Sequence, residues 1–305
     1  MRKGFITLFA MAVFGLTALH TEAQEITGYS DSKDYEIKDF SELEIRSNFK
    51  VELQQGSEFR ITAYFNGEED SSRIKVVKQG NTAIISYEQD RDKIFWERNK
   101  EDVTLLIQVP ELSLLSLHDK VNLKSAGEFK TTKINLVLQD NAQINGIEMS
   151  GEFIDVTTDN GAEIHRAKFD FVKGEYMIRG GSKVEAESNI LENYATVGGT
   201  ARLTLNSGEM DSFRVQLSTS GKLEIRGKGC DALNIEGSGM SEYNGTDFPI
   251  GEADINISGT VKVKLLMEEG GTINAVTKGM STVKYKGNNV TIKAVDSKAG
   301  SIKNI

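Results

Sequence analysis

Residues 253 to 265 read ADINISGTVKVKL: an alternating run, a small-residue break and a second alternating run. Units of this design recur from about residue 115 onward, among them LSLHDKVNL, LVLQDNAQI, VTTDNGAEI, ATVGGTARLTL and VQLSTSGKLEI. Aligned on Asp119, Asp140, Asn160, Gly180, Gly199, Thr219, Gly237, Gly259, Lys278 and Ser297, they step by about 20 residues, a period that marks solenoids. Few folds accept a repeat of this kind.

Within a unit the period is two. Ile255, Ile257, Val261, Val263 and Leu265 are interleaved with Asn256, Lys262 and Lys264, the pattern of strands with one face buried. The breaks hold Gly, Ser, Asn, Asp or Thr, which accept positive φ or bond their own backbone, so the chain turns a corner there. The count of 29 glycines against 2 prolines fits many tight turns within extended structure rather than flexible linkers. One unit cannot bury its apolar face alone, but it can when each stacks in register on the next, about 4.8 Å away. The expected fold is all-β: a parallel β-helix, a solenoid with coils of about 20 residues. Ile134, Leu136, Ile235, Ile257, Val261 and Val263 should point inward, with Asn135, Asn256 and Lys262 outside. A β-sandwich would turn every 8–12 residues or so, and a propeller would need blades of about 40, so the steady unit favours the solenoid.

The chain before residue 115 differs. FSELEIRSNFKVELQQGSEFRITAYF, RIKVVKQGNTAIISY and DVTLLIQVPELSLLSL have longer, hairpin-like spacing, with QQG and KQGN as turns. These strands should form irregular first coils and a cap over residues 40–114, followed by regular coils over 115–305, in one domain from 40 to 305. The charged stretch EQDRDKIFWERNKED carries the sole tryptophan, Trp96, and reads as a protruding loop. Its indole either anchors back onto the solenoid or offers a contact to a sugar ring or a partner.

The opening MRKGFITLFAMAVFGLTALHTEAQ has the layout of a secretory leader over residues 1–23, with an extension over 24–39. The apolar run, Phe5 to Leu19, is short for a membrane span, which needs about 20 apolar residues, and no later segment comes close. The expected location is outside the cytoplasm, in the periplasm or at the cell surface. Cys230, the sole cysteine, lies far from the cleavage site, which excludes a lipid anchor there, an internal disulfide and a cysteine zinc site. Formal charge is −9, and about −10 without the leader, with Lys and Arg dispersed among the acids. A nucleic-acid partner, which needs a basic footprint, is excluded.

Chemistry-bearing residues are few. Asp119, Asp140 and Asp159 fall at nearly the same point of three successive coils, a candidate ligand-binding ladder together with Trp96. Carboxylates about 5 Å apart repel, which suits a bridging cation such as calcium or a carbohydrate-cleaving pair. The plainer reading is that Asp caps its own turn. His118 and His165 lie at different phases of the repeat and share no metal. EGSGM around Ser238 lacks the G-x-S-x-G elbow, and GKGC at Cys230 lacks the phosphate-loop spacing, so both read as turns. The sequons at Asn244 and Asn289 would carry no weight in a chain of bacterial origin. No catalytic residue, metal ligand or cofactor is assigned.

Taken in order, FSELEIRSNFKVELQQG, VTLLIQVPELSLLSL with Pro110 and Leu112, turns such as EGSGM and ISGTV, and the closing STVKYKGNN resemble the auto-transporter adhesin head GIN domain family of Bacteroidetes-type bacteria. The resemblance runs from Phe40 to the end. It departs over residues 118–161, where HDK, QDN and TDNG replace the family's glycine and serine turns. It implies a right-handed single-stranded β-helix, a cell-surface or periplasmic setting and no enzyme activity. The leading expectation is an exported, non-enzymatic, adhesin-like module that binds a glycan or a cell-envelope protein. The alternative is a polysaccharide lyase or hydrolase on the same scaffold, with the acidic ladder as its site, since one fold hosts both.

Overall fold

The alternation produces regular strands of 15 to 16 residues, longer than a straight strand of a globular protein, because each one wraps around a coil. The structure, a computed structural model, describes residues 28–66, 68–88, 103–294 and 300–305. The leader, Trp96 and Ser297 lie outside the described residues. The first part of the chain runs β1 (Asp31–Tyr35), β2 (Glu42–Ile45), β3 (Phe49–Gln55), β4 (Arg60–Phe65), a short helix α1 (Glu68–Arg73), β5 (Ile74–Gln79) and β6 (Thr82–Tyr87). It continues through β7 (Val103–Val109), β8 (Leu114–Leu117), β9 (Asn122–Ala126) and β10 (Glu128–Leu138). Regular coils follow as β11 (Gln143–Thr158), β12 (Glu163–Ile178), β13 (Lys183–Val197), β14 (Arg202–Leu217), β15 (Lys222–Gly237), β16 (Glu242–Ile257) and β17 (Lys262–Thr277). The end is β18 (Thr282–Lys286), β19 (Thr291–Ala294) and β20 (Ser301–Asn304).

From β10 onward, each strand pairs in parallel with the next coil. Buried residues therefore stand on buried residues: Leu136 on Val156, Val215 on Ile235, Ile235 on Ile255. All six residues expected inside, Ile134, Leu136, Ile235, Ile257, Val261 and Val263, are at most 1% exposed, while Asn256 and Lys262 face solvent and Asn135 is partly buried. In β14 the inward series Leu203, Leu205, Ser207 slips to Met210 and again to Phe213, Val215, Leu217. Two outward residues in succession mark each bend. Together with the turn at 218–221, these bends carry one strand around the core.

The N-terminal end is built out of sequence order. β2 and β3 stack in parallel on β8 and β9, the next coil, and on their other side pair in parallel with β6 and β7. The first coil in sequence is thus the second in space. Beyond it direction reverses: β5 is antiparallel to β6, β4 to β7 and β1 to β4. These strands pair the backbone groups that a bare end coil would leave open, and form the cap. KQGN makes the expected hairpin, with Gly80 at φ 62°. QQG does not. β3 and β4 are not partners, because β7 lies between them, and turn chemistry signals a reversal without naming the strand that fills it.

Corners stack as a column of left-handed residues: Asp119, Asp140, Asn160, Gly180, Gly199, Thr219, Gly239, Gly259 and Gly279. Two expected register points are corrected, since the corners fall at Gly239 and Gly279 rather than at Gly237 and Lys278. Gly237 ends β15, and a Cβ there would come within 3.0 Å of both Ile257 and Val261 side chains. It is small to make room in the core, not to turn the chain. Gly259 does turn it, at φ 89°, and a Cβ would lie 2.8 Å from the Gly239 carbonyl oxygen. Backbone bonds tie these corners together: Thr260 N–H donates to the Gly239 carbonyl at 2.7 Å, and Met280 N–H to that of Gly259 at 2.8 Å.

One coil is shorter than its neighbours. Ile164 stands on Val184, but Ala167 stands on Ala186, so the second pair is closer in sequence than the first. The slip is absorbed at His165 and Arg166, with Arg166 at φ 54°, as a β-bulge in β12. It decides which side chains become neighbours on the outer faces of the coils that follow.

Candidate functional site

The corner carboxylates do not form the expected ladder. Asp119 and Asp140 share the corner column, but its third member is Asn160. Leu138 stands on Thr158 there, which sets Asp140 on Asn160 and leaves Asp159 one place ahead. Each acid has a donor. The Ser47 backbone N–H donates to Asp119 at 2.9 Å, the Asn160 side-chain amide to Asp140 at 3.1 Å, and the Asn160 backbone N–H to Asp159 at 2.8 Å. Among the described residues, no group of three or more His, Cys, Asp or Glu could hold a metal ion.

The histidines are held by neighbours. His118 Nε2 lies 2.9 Å from Ser116 Oγ and 3.7 Å from Glu44 Oε1, and Glu44 also binds Arg46. Serine, histidine and acid meet here, yet both partners crowd one nitrogen, whereas a nucleophile relay needs them on opposite nitrogens. His165 lies 3.1 Å from Glu163, which also accepts from Lys183 at 2.9 Å. The Lys183 bond, then the His165 bond, hold the Glu163 carboxyl below the usual range. Cys230 is buried, and burial pushes its thiol up to about 12, which leaves it unreactive.

A groove of about 590 Å³ lies on an outer face across β11 to β16. One wall is the register column Glu175, Tyr194, Arg214, Asn234 and Asp254. The other begins at Phe153, Lys173 and Glu192 and falls away at Ser212 and Ala232 before Glu252. The walls stand two residues apart along each strand, about 6.5 Å, and five coil steps give a trough of roughly 24 Å. Space opens because Ser212 and Ala232 are small beside Arg214 and Asn234.

Side-chain contacts mark both ends. Lys133 Nζ sits 5.1 Å from the centre of the Phe153 ring, and the Asn274 amide donates to Glu252 at 3.2 Å and Asp254 at 2.8 Å. Lys173 pairs with Glu192 at 2.8 Å. Between these clamps Glu175, Tyr194, Arg214 and Asn234 make no side-chain hydrogen bond or ion pair with other described residues. Asn193 also lines the groove, 4% exposed, with neither amide atom bonded. A buried amide left open costs about 1–3 kcal/mol, so its retention calls for an explanation.

A family model described as "Putative auto-transporter adhesin, head GIN domain" matches residues 39–196 and 174–289. The chain belongs to this head GIN domain family. The two matched stretches of the head GIN domain overlap, as a repetitive chain allows. No curated protein matches it. Among solved structures, a putative adhesin from Parabacteroides merdae ATCC 43184 is 12% identical, with a TM-score of 0.46, over 90% of this chain and 95% of that one. A putative lipid binding protein from Parabacteroides distasonis ATCC 8503 is 16% identical, with a TM-score of 0.43, over 90% and 96%. A putative adhesin from the same organism is 11% identical, with a TM-score of 0.43, over 90% and 96%.

The groove was not foreseen in the head GIN domain sequence. Its residues are scattered from Phe153 to Asp254, and none belongs to a short motif. The signal lay in the column spacing, which becomes readable only once the short coil is located.

Proposed function

We propose that this head GIN domain is an exported, non-enzymatic adhesin module that holds a glycan or protein of the cell envelope against its outer face. The observation that carries the reading is the groove across β11 to β16, where the side chains of Glu175, Tyr194, Arg214 and Asn234 have no hydrogen-bond or ion-pair partner among the described residues. What supports binding over cleavage is the state of its carboxylates. Glu192 accepts from Lys173, and Glu252 and Asp254 accept from Asn274, which leaves Glu175 alone where glycoside cleavage needs a working pair. Export rests on the leader-like opening, and placement in the periplasm or at the surface belongs to the same proposal.

The test uses the full chain expressed in a Bacteroidetes-type host. Mass spectrometry should find the N-terminus near residue 24 in the envelope or medium. The purified protein should bind envelope preparations saturably and release no new ends from neutral or anionic polysaccharides. Cleavage that disappears in Glu175→Gln would replace this reading with the enzymatic one.

A further inference from the structure

We propose that the groove is a carbohydrate site, built for a neutral oligosaccharide chain lying along the solenoid axis; the proposal rests on the adhesin reading and names its ligand. Three features select this chemistry. First, the open wall presents an acceptor at Glu175, an aromatic ring at Tyr194, a donor fork at Arg214 and a donor-acceptor amide at Asn234, one per coil. Hydroxyls are both donors and acceptors, so a chain carrying several on every ring can satisfy such a series. The apolar face of a sugar ring suits the amphipathic Tyr194.

Second, the floor excludes the competing ligand. An extended peptide gains affinity from main-chain bonds at a sheet edge, but the groove lies on a sheet face whose backbone is already paired coil to coil. Third, Glu175, Glu192, Glu252 and Asp254 outnumber Lys173 and Arg214 in the groove, so polyanionic glycans are repelled.

The experiment compares wild type, Tyr194→Ala, Arg214→Ala and the outlying control Lys262→Ala. Each is assayed for binding to an array of neutral and polyanionic oligosaccharides, and to envelope preparations left intact, oxidised with periodate or digested with protease. Wild type and Lys262→Ala should bind neutral oligosaccharides and intact envelope, with periodate abolishing envelope binding. Tyr194→Ala should lose about tenfold in affinity, the scale of one aromatic contact, with an unchanged melting temperature. Envelope binding that survives periodate but not protease, or that is equal in Tyr194→Ala, would overturn the carbohydrate site and leave the adhesin reading standing. Preference for polyanions would overturn the selectivity argument. No binding by folded wild type to array or envelope would overturn both.

Discussion

The Asn160 side-chain amide donates to the Asp140 carboxylate one coil away at 3.1 Å, so the corner column passes from acid to amide where a third acid was expected. Asp159 stands outside the column and accepts from the backbone N–H of Asn160. Each carboxylate already has a neutral donor and, among the described residues, no third acid joins them to complete a cation's ligand set. Millimolar calcium and a chelator should therefore give the same melting temperature, in wild type and in Asp140→Asn. A site filled at about 100 times its Kd would add roughly 2.7 kcal/mol, so a calcium-dependent rise lost in Asp140→Asn would refute this.

Burial of the inward columns sets the stability of the coils. Ile257 is fully buried and Asn256, its neighbour, is exposed. Ile257→Ala should cost on the order of 2–5 kcal/mol, and Asn256→Ala less than about 0.5 kcal/mol. Denaturant titration of the two variants separates them, and equal midpoints would contradict the register.

Gly259 and Gly80 both have positive φ, but only Gly259 lies against another corner. A Cβ at Gly259 meets the Gly239 carbonyl at 2.8 Å, whereas one at Gly80 meets nothing within 4 Å. Gly80→Ala should show backbone strain alone, about 1–2 kcal/mol, and Gly259→Ala should cost distinctly more. Calorimetry showing equal losses would mean that the corners do not stack this closely.

Alkaline pH should weaken the fold. Burial raises the Tyr176 and Tyr243 hydroxyls above their usual range and pushes the Cys230 thiol up to about 12. The folded state keeps these protons at a pH where the unfolded chain releases them. Their contribution is complete below the unfolded values, near pH 8.5 for cysteine and about 10 for tyrosine, and is lost as pH rises toward the folded ones. Urea midpoints should hold to about pH 8.5 and then fall, with a smaller early fall in Cys230→Ala. Flat stability to about pH 10.5 would show that these groups are hydrated.

Asn193 occupies an inward column between Gly174 and Phe213. Asn193→Leu removes an unbonded buried amide and should stabilise by on the order of 1 kcal/mol, visible as a higher melting temperature. A loss of stability would mean that the amide has partners in solution.

The core columns were legible because period two leaves little freedom: Ile235, Ile257 and Val263 lie where alternation puts them. The corner at Gly259, the one glycine of ISGTV, was legible, whereas EGSGM offers two glycines with different roles and in TKGM the corner was set one residue early, at Lys278 instead of Gly279. The groove was hidden by a single slip in register. Carried forward unchanged, the step from Ile164 to Val184 sets Tyr194 on Gly174, an inward position, whereas the bulge at His165 and Arg166 sets it on Glu175, an outward one. A one-residue slip exchanges the faces of a strand, so surface chemistry could not be assembled until the slip was found.

The most direct test of the binding account is to fill the groove without disturbing the core. Ser212 is exposed and forms the low point of one wall, beside Arg214. Saturable binding of Ser212→Trp to intact envelope preparations should fall by about tenfold or more relative to wild type, the scale of a lost aromatic contact, at an unchanged melting temperature. Equal binding by the two proteins would contradict the account and move the adhesive surface elsewhere on the solenoid.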